Sequence, residues 1–149
     1  MIGMFGRVAL IGMVALTMLA AGCSPSTEDL NAKAKTAQSY ESPQAVYDAM
    51  TAGGVTAVAL IDKGPAAGPA GMEMYSSGEV NFGDGFGTIL VFPPNAVSTM
   101  DAYVTNWLST AGGAGVKDPT VLKGANWLLT GSSGNLSKAQ EALGGQLQK

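Results

Sequence analysis

Residues 73–92 read EMYSSGEVNFGDGFGTILVF, and this stretch decides the architecture of the chain. Met74, Val80 and Phe82 are apolar while Glu73, Glu79 and Asn81 are polar, so Glu73 to Phe82 is expected as a strand with one wetted side. Gly78 within it is the expected place for a bulge. Asp84-Gly85 is a strong short-range hairpin signal. Phe86 to Phe92 then runs almost wholly apolar, as a strand does when it lies centrally in a sheet. The pair predicts an antiparallel hairpin, and the rest of the chain must build around it.

Upstream, Ser42 is placed to cap a helix with Pro43 at its first position. Val46, Ala49 and Met50 give that helix an apolar face, and Gly53-Gly54 stops it. Val55 to Ile61 is short, apolar and β-branched, a further strand. Asp62 to Gly71 contains Gly64-Pro65 and Gly68-Pro69 and is expected as a loop. Downstream, Pro93-Pro94 ends the hairpin and Asn95 is expected to cap a helix reaching about Thr110. Its face is Val97, Met100, Val104, Trp107, Leu108 and Ala111. Gly112-Gly113-Ala114-Gly115 closes it. Thr120 to Leu122 and Trp127 to Thr130 read as short strands joined by Lys123 to Asn126. A closing helix is expected with Asn135 as cap and Leu136, Ala139, Leu143 and Leu147 on one face, weakened by Gly144-Gly145.

The resulting order is α-β-β-β-α-β-β-α. It predicts an α+β domain over residues 43–149, a mostly antiparallel sheet of about five strands with two or three helices on one face. Asn106-Trp107-Leu108 and Asn126-Trp127-Leu128 repeat one another, but the first falls on a helix and the second on a strand. A stretch this short is no repeat unit.

The first 22 residues have a different character. Arg7 precedes an uncharged run, Val8 to Leu19, and small Ala20, Ala21 and Gly22 follow. A cationic start, a greasy core and small residues before a cut make an export signal. The apolar core falls short of the ~20 residues that span a bilayer. Directly after it stands Cys23, the one cysteine of the chain. Leu19-Ala20-Ala21-Gly22-Cys23 resembles the lipobox of bacterial lipoproteins, with Ala20 where the commonest form carries Leu. The resemblance implies a diacylglyceryl thioether on Cys23 and cleavage of the Gly22-Cys23 bond. It covers only the first ~25 residues. Two or more acyl chains, at about 0.8 kcal/mol per buried methylene, would hold the chain firmly to the outer face of a membrane. The Gly- and Ala-rich composition resembles small lipoproteins of high-GC Gram-positive bacteria or of the phages that infect them.

Residues 23–42 then read as a lipidated tether. Ser24 to Ser42 is polar, with Leu30 and Tyr40 as its bulky apolar groups, and is expected as a solvated linker. Extended, it would reach about 65 Å. A helix over Thr27 to Gln38, capped by Thr27, is the structured alternative.

Composition narrows the function. Net charge is −3, and one unit more negative once Arg7 leaves with the signal. An acidic chain without a basic cluster is not expected to bind nucleic acid or to dock electrostatically on anionic lipid. The chain has no histidine, which removes the usual general base and the commonest metal ligand. With Cys23 acylated no thiol remains, and neither cofactor nor metal is expected. Asp62, Glu73, Glu79, Asp84, Asp101 and Asp118 are scattered, though Glu73 and Glu79 share a strand side. Gly83 to Gly87 is glycine-rich, but a strand follows it where a phosphate loop would lead into a helix. Tyr75, Tyr103 and Trp127 are candidate interface residues.

The expected function is therefore a non-enzymatic, lipid-anchored binding module of the cell envelope, recognising another envelope protein or a small ligand. Two other classes compete with it. One is a phage- or prophage-encoded superinfection-exclusion lipoprotein that binds a phage tail component or a channel. The other is a carboxylate-dependent envelope hydrolase.

Overall fold

The hairpin forms where its residues place it. The computed structural model describes residues 25–66 and 75–149. Strand β2 (Tyr75–Asn81) pairs antiparallel with β3 (Phe86–Val91), with Asn81 opposite Phe86 and Ser76 opposite Val91. Between them Gly83 takes φ 88°, a left-handed conformation that glycine adopts without strain. Its N–H donates to Asn81 Oδ1 at 2.7 Å, and Phe82 N–H to the Gly85 carbonyl at 2.9 Å. Phe82 to Gly85 form the hairpin turn, and Gly87 already lies on β3.

Strand β1 (Ala59–Ala66) pairs with the other edge of β2. It starts later than expected and runs through Gly64-Pro65, a stretch expected as loop. An irregularity between Asp62 and Gly64 lets it do so. The bulge thus lies in β1, across from Gly78, and not at Gly78 itself. A Cβ on Gly78 would come within 2.9 Å of Leu60 Cδ1 and 3.1 Å of Pro43 Cβ. That glycine lets helix α2 (Pro43–Ala52) approach the sheet. As expected, Pro43 is the first residue of α2 and Ser42 its cap, Oγ accepting from Ala45 N–H.

The sheet has six strands in the order β1-β2-β3-β5-β4-β6, every neighbouring pair antiparallel. β4 is Val121–Lys123 and β5 is Trp127–Thr130. The sixth strand, β6 (Gln146–Gln148), corrects the expected closing helix. Helix α4 (Ser133–Leu143) stops at Gly144, φ 75°, and Leu147 sits on β6. Leu136, Ala139 and Leu143 do form its buried face. Its cap is Ser132, whose Oγ accepts from Asn135 N–H; Asn135 lies inside the first turn and donates to Asp84 Oδ1 at 2.9 Å. Asn95 likewise is no cap. Helix α3 (Val97–Gly113) begins after Ala96 with no side-chain cap.

Helices α2 and α4 cover one face, built from Val80, Ile89, Val91, Leu122, Trp127, Leu129 and Leu147. Helix α3 packs on the other face, over Leu90, Val121 and Leu128, through Met100 and Val104. The topology explains this division. β3 crosses to β4 through α3, and β5 crosses to β6 through α4, each stepping over one strand in the same direction. β3 and β5 run in opposite directions. Crossovers of one common hand must then place their helices on opposite faces.

Residues 25–42, expected as a solvated linker, lie against the domain. Helix α1 (Thr27–Lys33) is capped by Ser26, one residue before the expected Thr27. Asn31 treats β6 as a neighbouring strand would: its Oδ1 accepts from Leu147 N–H at 2.7 Å and its Nδ2 donates to the Leu147 carbonyl at 3.0 Å. Farther on, Gly145 N–H donates to the Lys35 carbonyl. A Cβ on Gly144 would lie 2.3 Å from that oxygen, so this glycine serves both the helix stop and the seat of the segment. The sheet thus has two ends. The upper end holds Ser76, Val91, Trp127 and Gln146, and the lower end holds Asn81, Phe86, Thr130 and Gln148. The N-terminal segment enters low, climbs beside β6 and crosses the top.

Candidate functional site

The upper end carries a candidate site, a cleft of about 570 Å³. One wall is the crossing segment, Ser39 to Glu41. The opposite wall is the end of the hairpin, with Tyr75, Ser76 and Phe92, followed by Pro93-Pro94; Pro65 of β1 closes one side. Volume and lining fit the usual small-ligand site, largely apolar with a few placed polar groups. Glu41 is the one charged side chain among the described residues that line it.

Asn126 builds the cleft. It is buried, at the turn between β4 and β5. Its Oδ1 accepts from Tyr40 N–H at 2.9 Å, and its Nδ2 donates to the carbonyls of Tyr40 at 2.8 Å and Phe92 at 3.1 Å. One carboxamide therefore ties the crossing segment to the end of the hairpin. Trp127 adds a second tie, its Nε1–H donating to the Gln38 carbonyl at 2.9 Å. The indole lies 6.2 Å from the Tyr40 ring, centre to centre. Gly124 lies against the same indole, where a Cβ would fall 2.0 Å from the ring.

Of the candidate interface residues, Tyr75 lines the cleft. Tyr103, on α3, stands behind it, ring centres 6.1 Å apart and edge-on, and Phe92 completes the cluster at 5.1 Å from Tyr75. Burial pushes the Tyr103 phenol above its ordinary value, and Tyr75 adds to the shift. Trp127 is corrected: it is wholly buried in the core and presents no surface to a partner. Its indole needed a hydrogen-bond acceptor, and the crossing segment covers it. Gly22 and Cys23 lie outside the described residues.

Among the described residues the carboxylates are dispersed. Glu73 is outside the described residues; Glu79 lies mid-strand opposite Ile61 and Thr88. Asp84 is held by Asn135, and Asp101 pairs with Lys123. Among the described residues no three potential metal ligands cluster. No helix of the described residues is long and apolar enough to cross a membrane.

The sequence reading missed Tyr40, Glu41, Phe92 and Asn126 as site residues. Tyr40 gave the one available signal, a bulky ring stranded in a polar stretch. Nothing in the sequence marks Asn126, because its role is to hydrogen-bond backbone atoms of distant residues. Comparisons with protein-family models, with curated proteins and with solved structures gave no match.

Proposed function

We propose that this chain is a lipoprotein acylated on Cys23, and that its domain is a non-enzymatic recognition module of the cell envelope. The cleft at the upper end carries the second part of the reading. Its walls are aromatic rings and prolines, with the Ser39 and Ser76 hydroxyls and the Glu41 carboxylate as polar groups. Such a surface suits an uncharged ligand with a flat apolar side, as the ring of a wall sugar has. Stacking supplies contact area and the hydroxyls supply orientation. Anchoring concentrates the domain near the envelope, so weak recognition suffices.

The anchor is tested by intact mass and palmitate labelling, with Cys23→Ala as control. A native product still beginning at Met1, or lacking acyl mass, would reject it. The cleft is tested by titrating the ¹⁵N-labelled protein with solubilised peptidoglycan fragments. Shifts are expected at Tyr40, Tyr75, Ser76 and Asn126, and Tyr75→Ala should abolish them. Unmoved resonances at millimolar fragment would reject a wall-sugar ligand.

A further inference from the structure

We infer that the lower end of the sheet is a lipid-contact surface, so that the anchored domain stands on the membrane with its cleft facing away. The inference rests on the acylation of Cys23 proposed above. Its other support is the place where the described chain begins and what surrounds that place.

Helix α1 starts low. Pro25, Thr27 and Leu30 share one surface hollow with Ser133 and Gly134, at the start of α4, and with Lys149. Ser133 follows the lower end of β5, and Lys149 follows Gln148, which pairs with Val121 at the lower end of β4. Ser26 is already hydrogen-bonded into the cap of α1. Between Cys23 and Ser26 the backbone spans at most about 10 Å. The docked segment therefore leaves no long leash. An acyl group on Cys23 holds the lower end within that distance of the lipid. The cleft lies at the other end, about 17 Å away along β3.

The exposed apolar side chains supply an independent observation. Val58, 65% exposed, and Phe86, 66% exposed, flank the lower end of the hairpin, where both neighbour Asn81. Val116, 48% exposed, lies in the connection from α3 to the lower end of β4. Phe86, Val116 and the half-buried Trp107 line one hollow with Lys117 and Asp118. An exposed apolar patch marks an interaction surface, and tryptophan is enriched where a protein meets the bilayer interface. Charge at this end is mixed, so apolar contact and the acyl chains, not attraction to anionic headgroups, would hold it there.

Val97 provides the internal control. It is 50% exposed, nearly the value of Val116, but sits at the upper start of α3. The acylated full-length chain, with Val116→Cys or Val97→Cys carrying an environment-sensitive fluorophore, is reconstituted in phosphatidylcholine–phosphatidylglycerol vesicles. Acylation blocks the native sulfur, so the label is unique. Nitroxide lipid should quench the label at 116 several-fold more than the label at 97, with a blue shift only at 116. Trp107 in the unsubstituted chain should be quenched by brominated lipid, and Trp107→Phe should remove that quenching. Equal or absent quenching at both positions, in protein whose mass includes the acyl group, overturns the inference. Absence of the acyl mass overturns the anchor reading itself.

Discussion

Two parts of this molecule are held by different mixtures of the same forces. Strands β3 and β5 meet at the centre of the sheet through Ile89, Leu90, Leu128 and Leu129, all buried and all apolar. The segment over residues 25–42 is largely polar; Leu30, Ala37 and Tyr40 pack against the core, and amide groups, Asn31 on Leu147 and Asn126 on Tyr40, fix its position. The first attachment depends on area withdrawn from water and tolerates small shifts. The second depends on a few directional bonds, each of which leaves partners unpaired when removed. Hydrophobic patterning reveals only the first kind.

The contrast is tested most severely at the sheet centre. Leu129→Ala should lower global stability by about 2–5 kcal/mol, seen as a reduced urea midpoint, because a buried strand pair cannot close over the cavity. A loss below half a kilocalorie would mean that the centre is looser than its burial implies. Asn126→Ala comes next, at about 1–3 kcal/mol, since it strands one N–H and two carbonyls. It should also speed amide exchange at Tyr40 while leaving Ile89 and Leu129 protected. Uniform acceleration would instead make the segment an integral part of the sheet's cooperative unit.

Asn31→Ala should cost somewhat less, about 1–2 kcal/mol, because its contacts are only partly withdrawn from water. Its signature is faster exchange at Leu147 N–H. The smallest effect lies in alkali. Above the ordinary phenol value the unfolded chain loses the Tyr103 proton while the folded chain retains it, so stability falls as pH rises through that range. Tyr103→Phe should flatten the fall. An unchanged alkaline unfolding curve would show that burial does not raise the Tyr103 phenol.

The α+β class, the hairpin, its turn and the central place of β3 were all legible, because alternation and turn residues act locally. The closing strand was not. Leu147 falls at helical spacing from Leu143, and only the left-handed conformation of Gly144 reveals that the helix has stopped. The placement of α3 opposite α4 follows from strand direction and crossover hand, which no short window of residues contains. In the candidate site Tyr75 was legible as an aromatic near a strand end. Asn126 was not, since an asparagine in a turn looks the same whether it bonds water or distant backbone.

The pairing of Asn31 with Leu147 joins residues 116 positions apart. In a chain made from its N-terminus, helix α1 must wait for strand β6 before it can settle. Until then the segment over residues 25–42 lacks the partners that hold it. Synthesis of β6 is therefore also the event that seats a segment made more than a hundred residues earlier.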